Sequence, residues 1–142
     1  MANKIKVWLV DDDVVFLKLL QIDLSDNCEF EIETFKSGEL CLANLMNKPD
    51  IIILDYHLNG IDKSAKNGIQ ILDEIKAFDI NLPVIMLSSQ DKIELAIDCM
   101  HHKATDYLVK SETTYMRLQS IISKVFEIQN IKKQLEWYIN RM

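Results

Sequence analysis

Short apolar runs and longer stretches of helical periodicity take turns along this chain. Ile5-Lys6-Val7-Trp8-Leu9-Val10, Ile51-Ile52-Ile53-Leu54, Val84-Ile85-Met86-Leu87 and Tyr107-Leu108-Val109 are short, apolar and rich in β-branched residues. Such runs predict strands buried on both faces. Residues 29–35 alternate instead, with Phe30, Ile32 and Thr34 to one side, which predicts a half-exposed strand. Val14 through Leu24 carries apolar residues at helical spacing. Ser37-Gly38-Glu39 opens a second helix that ends near Asn47-Lys48, where Pro49 stops it. A polar loop over 59–67 leads to a third helix with Ile69, Leu72, Ile75 and Phe78 on one face. Residues 50–54 give the third strand, Pro83 begins the fourth, 91–102 the fourth helix and 104–109 the fifth strand. A last helix runs from about Thr113 towards the C-terminus. Five strands, each followed by a helix, predict an α/β fold with a doubly wound parallel sheet covered on both faces.

The polar residues at the ends of those strands carry the chemistry. Asp11 and Asp12 follow the first strand, Asp55 the third, Ser88 the fourth and Lys110 the fifth. In a parallel sheet the C-terminal strand ends meet at one edge, where such folds hold ligands. Three carboxylates placed together repel one another and call for a cation. Oxygen ligands favour Mg2+ or Mn2+ over zinc. Asp55 beside such an ion can attack a phosphoryl donor to give an acyl phosphate, with Lys110 and the Ser88 hydroxyl stabilising the equatorial oxygens. Taken singly, each residue has a plainer reading: an Asp after a strand is usually a turn former or helix cap, and a Lys there is usually solvated. Their occurrence in order after strands one, three, four and five is what points to a site. Asp13 reads as belonging to the N-terminus of the first helix, where its charge suits the dipole.

Bulk properties narrow the function. At 142 residues the chain fits one domain with a substantial core. Sixteen basic against 22 acidic residues leave a net charge of −6, which argues against a broad nucleic-acid-binding surface. No apolar stretch reaches the length of a membrane span, and Met-Ala-Asn-Lys leads straight into a strand with no signal-peptide pattern. Cys28, Cys41 and Cys99 are odd in number and widely spaced, which fits reduced, mostly buried thiols in a cytoplasmic protein. His101-His102 is a weak chelating pair, because adjacent helical residues point apart. The final helix is too long to cover one sheet edge. Leu118, Ile121, Val125, Ile128, Leu135 and Ile139 form a seam on three- and four-residue steps, which Lys132 interrupts. That seam predicts a contact surface, against the plainer reading of a helix packed wholly on its own domain.

The segments Val10-Asp11-Asp12-Asp13, Ile53-Leu54-Asp55, Pro83-Val84-Ile85-Met86-Leu87-Ser88-Ser89 and Ala104-Thr105-Asp106-Tyr107-Leu108-Val109-Lys110 resemble the receiver domain of bacterial two-component response regulators, the chemotaxis receiver among them. The likeness runs from about Lys4 to Phe126. It implies the flavodoxin-like strand order 2-1-3-4-5, a receiver domain over 1–126 and a helical extension over 127–142. By the same resemblance Asp55 is the phosphoacceptor, and Asp11 and Asp12 form the acidic pair. Asp11, Asp12, Asp55 and the backbone carbonyl of His57 then hold Mg2+ (or Mn2+). Ser88 is the switch hydroxyl, Tyr107 the switch aromatic and Lys110 the phosphate-pairing lysine. The phosphoryl group comes from a histidine kinase or histidine phosphotransfer protein, and the chain catalyses its own phosphorylation and dephosphorylation at Asp55. The face around the fourth helix, fifth strand and fifth helix rearranges in response, and the final helix is a possible homodimer contact or the start of a linker. No direct contact with nucleic acid or membrane is expected of this chain.

Some positions depart from that pattern. Ser111 stands where the family usually has a cis proline, Lys103 where a glycine normally ends the fourth helix, and Asn59 in place of a common proline. The loop between Asp55 and Gly68 is a few residues longer than in most relatives and lies beside the site, a suitable place for partner specificity. Three rival readings are a flavodoxin-like FMN binder, a haloacid-dehalogenase-like phosphatase and a degenerate receiver acting as a phosphorylation-independent interaction module. The first needs a glycine- and hydroxyl-rich phosphate loop where this chain has three aspartates. The second needs an acid/base Asp two residues beyond the nucleophile, where this chain has His57.

Overall fold

A computed structural model describes residues 4–142. The elements run β1 (Ile5–Val10), α1 (Val14–Ser25), β2 (Phe30–Phe35), α2 (Gly38–Ala43), β3 (Ile51–Asp55), α3 (Gly68–Phe78), β4 (Val84–Ser88), α4 (Ile93–His101), β5 (Asp106–Val109) and α5 (Thr114–Arg141). All neighbouring strands are parallel, in the order β2-β1-β3-β4-β5. This is the expected doubly wound sheet. The three central strands are its most apolar, and every residue of β3 and β4 is buried. β2 lies at an edge, with Glu31 and Glu33 exposed, and so keeps its alternation.

Helices cover both faces. Leu17, Leu20 and Leu24 of α1 and Leu118 and Ile122 of α5 pack on one face with Val7, Leu9, Ile53 and Leu87. Cys41 of α2, Ile71, Leu72 and Ile75 of α3 and Cys99 of α4 pack on the other with Trp8, Ile52, Leu54 and Met86. Gly68 lets α3 start against the end of β3, since a Cβ there would lie 2.5 Å from the Asp55 carbonyl oxygen.

Several boundaries differ from the sequence reading. The second helix stops at Ala43, and a separate 3-10 turn over Leu45–Asn47 follows, closed by Lys48 at φ 54°. β5 starts only at Asp106; the preceding Thr105 accepts from the Val84 N–H through its Oγ1. Cys28 is exposed, whereas Cys41 and Cys99 are buried. The seam on α5 divides. Leu118 is buried and Ile121 and Val125 half-buried, whereas Ile128, Leu135 and Ile139 are exposed. Ile122, fully buried, was not part of that seam. Every residue from Asn130 onward is exposed, so the last three turns project beyond the sheet. No described helix is long and apolar enough to cross a membrane.

Candidate active site

Asp11, Asp12, Asp55 and Lys110 meet at the C-terminal edge of the sheet, as the order of strands requires. They line a cleft of about 550 Å³ together with Asp13, His57, Gly60 and Ser89. Carboxylate oxygens of Asp11, Asp12 and Asp55 lie within 4.8 Å of one another. Asp11 and Asp55 are buried, and Asp12 sits half-exposed at the mouth. Each is held by its own element. Asp11 Oδ1 accepts from the Asp13 N–H at 2.9 Å, and Asp12 Oδ2 accepts from the Ile61 N–H at 3.3 Å. Asp13 is the N-cap of α1, accepting from the N–H groups of Val15 and Phe16.

Lys110 Nζ donates to Asp11 Oδ2 at 2.8 Å and lies 3.3 Å from Asp55 Oδ1. That Asp55 oxygen is buried without a hydrogen-bond partner. Burial pushes the Asp55 carboxyl up to about 7, and the Asp11 charge adds to this against the opposing pull of Lys110. Burial also pulls the Lys110 ammonium down, but the hydrogen bond to Asp11 and the charges of Asp55 and Asp11 outweigh it and leave it raised. One ammonium is therefore shared between two carboxylates that it cannot fully satisfy. A buried, orphaned carboxylate oxygen beside two more acidic groups suits a hard divalent cation. Gly60 lies beside the cluster: a Cβ there would stand in ordinary contact, 3.4 Å from Asp12 Oδ2 and 3.8 Å from the His57 carbonyl oxygen.

The two switch candidates are arranged less simply. Ser88 is fully buried, and its Oγ accepts from the Gln90 N–H at 3.0 Å. The cleft is lined by Ser89 instead. The Tyr107 hydroxyl donates to the Gln90 carbonyl oxygen at 2.8 Å. Both residues are thus tied to the backbone of one residue, Gln90, in the β4–α4 loop. Ser111, in place of the expected proline, closes a hydroxyl-rich turn: its N–H donates to Thr114 Oγ1 at 2.7 Å, and that hydroxyl donates back to the Ser111 carbonyl at 2.9 Å. No peptide bond among the described residues is cis. Lys103 takes the left-handed conformation, φ 74°, that a glycine would occupy. It ends α4 in a Schellman motif, with Lys103 N–H bonded to Met100 O and Ala104 N–H to Cys99 O.

Three further neighbours of the site were not singled out in the sequence. Ile61 and Gly60 come from the long β3–α3 loop, and Phe16 from α1 sets its ring 4.3 Å from Lys110 Nζ. The capping of α1 by Asp13 was the one available signal that Phe16 would face the strand ends.

Residues 7–122 match the response regulator receiver domain family. The chain is 33% identical over 138 residues to a protein-glutamate methylesterase/protein-glutamine glutaminase of Clostridium acetobutylicum, covering 94% of this chain and 35% of that protein. It is 30% identical over 125 residues to the transcriptional regulatory protein ZraR of Salmonella typhimurium, covering 87% of this chain and 27% of that one. Among solved structures it resembles NtrX of Brucella abortus, with 28% identity and a TM-score of 0.81 over 94% of this chain and 29% of that one. The isolated receiver domain of the same protein matches at 30% identity and a TM-score of 0.75, over 85% of this chain and 98% of that one. The chain belongs to the response regulator receiver family of two-component signalling. It spans about a third or less of the length of those two curated relatives. Receiver domains generally bind Mg2+ at an acidic pocket, and membership implies a kinase or phosphotransfer partner.

Proposed function

We propose that Asp55 accepts a phosphoryl group from a histidine kinase or histidine phosphotransfer protein, and that the chain thereby switches a protein-interaction face. The observation that carries this reading is Asp55 Oδ1, buried and unpartnered, 3.3 Å from Lys110 and beside the Asp11–Asp12 pair. Asp11, Asp12, Asp55 and the His57 carbonyl would hold Mg2+ or Mn2+, which supplies positive charge for the acidic pair and for developing charge on the phosphoryl oxygens. An Asp55 oxygen forms the bond to phosphorus as the donor's bond breaks and its electron pair departs with the donor. Lys110 leaves Asp11 to meet an equatorial oxygen. The Ser88 hydroxyl turns from Gln90 to meet another. Gln90 then loses one of its two ties and Tyr107 its anchor, which couples the phosphoryl group to the loop before α4. The competing view, a phosphorylation-independent interaction module, is disfavoured by the retention of every polar group this chemistry needs.

Incubation with acetyl phosphate and Mg2+, followed by mapping of the label, tests the assignment. The wild-type chain should carry an acid-stable, base-labile phosphate on Asp55, and Asp55→Asn should carry none. An Asp55→Asn protein labelled at wild-type yield sinks it.

We read residues 1–126 as the receiver domain and 127–142 as a helical extension, in a cytoplasmic protein. The exposed part of α5 supports a parallel two-stranded contact with a second copy. Ile128, Ile131, Leu135 and Tyr138 are exposed on alternating three- and four-residue steps. With Ile131 included the seam is continuous, and Lys132 falls beside it. Sedimentation with and without beryllofluoride should show association that Ile131→Glu abolishes; a monomer in both states at high concentration rules the contact out.

A further inference from the structure

Phe16 is apolar and half-buried, with no place in the carboxylate chemistry. Yet its ring centre lies 4.3 Å from the Lys110 ammonium. That ammonium has three N–H donors and no acceptor. Asp11 Oδ2 takes one at 2.8 Å, and Asp55 Oδ1 lies 3.3 Å away on a second side. The same ammonium lies over the Phe16 ring, and only 16% of the lysine side chain reaches solvent. We propose that Phe16 is a positioning residue for phosphoryl transfer, its ring face holding the Lys110 ammonium over the Asp11–Asp55 pair. The inference rests on the role given to Lys110 above.

The need for such a group follows from the chemistry of lysine. Its ammonium is a compact, strongly hydrated charge on a flexible stem, so water competes for every donor not already bound. The negative face of an aromatic ring attracts the cation and excludes that water. A carboxylate fixes one N–H along one line. A ring face favours the cation without singling out any N–H. Lys110 can therefore pivot from Asp11 towards a phosphoryl oxygen while keeping its contact with the ring. Phe16 is itself held at both ends: its N–H donates to Asp13 Oδ1 at 3.2 Å, and its side chain packs against the cluster that contains Leu17 and Leu20.

The plainer role, apolar packing alone, would be met equally by leucine or by a ring of altered electronics. The test replaces Phe16 with mono-, di- and trifluorinated phenylalanine, which weaken the ring's negative face at nearly constant shape, and with Tyr and Leu. The readout is the rate of phosphorylation of the full chain by acetyl phosphate in Mg2+. The rate should fall stepwise along the fluorinated series, stay near wild type for Phe16→Tyr, and drop about three- to tenfold for Phe16→Leu. In a Lys110→Ala background the dependence on fluorination should vanish. A flat series with Lys110 intact overturns the role of Phe16 and leaves that of Lys110 standing. Wild-type phosphorylation of Lys110→Ala overturns the role of Lys110, and Phe16 with it.

Discussion

On the α1 flank of the carboxylate cluster, Asp13 caps the helix through two backbone N–H groups, and Leu17, Leu20 and Leu24 are buried beneath it. On the α4 flank, Lys92 gives the helix no side-chain cap, and Cys99 is its single buried residue. Ile93, Ile97 and Met100 of α4 stand exposed, and its C-terminus depends on a lysine in the left-handed conformation. Both flanks border the same site, but they are held to different tolerances. The α1 side carries Asp11, Asp12 and Phe16, which the proposed chemistry needs in fixed positions. In the proposed switch the α4 side carries the response. If, as proposed, α4 shifts when Ser88 and Tyr107 let go of Gln90, it cannot also be locked by deep burial and strong caps, and low local stability is the physical form of that readiness.

This contrast can be broken or sharpened by measurement. The largest expected effect lies at the site itself. Asp55 ionises near 3.8 ordinarily and near 7 in the folded chain, chiefly through burial. Between those values the folded state keeps a proton that the unfolded state has lost, so stability falls as pH rises from about 4 to about 7. Without divalent cation, Asp55→Asn should therefore be more stable than wild type at pH 8 by on the order of 2 kcal/mol. The gain should disappear near pH 4 and shrink when Mg2+ is added. Urea unfolding across that range measures it, and a gain independent of pH would place its origin outside the carboxylate.

The two helix ends make a paired test of smaller size. Asp13→Ala removes the cap on the rigid flank and should cost about 1 kcal/mol. It should also slow phosphorylation, because Asp11 and Phe16 both hang on that turn. On the α4 flank, Lys103→Gly relieves the left-handed lysine and should stabilise the chain by about 0.5–1 kcal/mol. Hydrogen exchange should show slower opening confined to α4, with the phosphorylation rate unchanged. Equal effects of the two variants on that rate would erase the distinction between the flanks.

The surface of α4 carries one further restraint. His102 Nδ1 lies 2.7 Å from Asp73 Oδ1 of α3, and its Nε2 3.5 Å from Asp98. The hydrogen bond to Asp73 raises the imidazole pKa. Its contribution is thus present in full below the ordinary histidine range and fades as pH rises through the raised value. At this exposure it is small. It ties α3 to α4 at the surface, where a tie can be broken without disturbing the core.

Much of this architecture was legible in the sequence because it depends on short-range pattern. Buried parallel strands must be continuously apolar, and so Ile51–Leu54 and Val84–Leu87 declared themselves. Asp11, Asp12, Asp55 and Lys110 converge simply because strand ends of one parallel sheet share an edge. Other features came only with the packed structure. The orientation of Ser88 towards Gln90, the Phe16 ring over Lys110 and the Ile61 N–H on Asp12 each join residues by side-chain direction or loop path, which no periodicity encodes. The raised carboxyl of Asp55 likewise needs the depth of its burial, set by every element around it. The point at which α5 leaves the body, near Gln129, depends on how far the sheet edge extends beneath it. Sequence determined which groups reach the edge, since backbone period and strand direction are local properties. Tertiary structure decided which of them touch, because contact is fixed by distances between residues far apart in the chain.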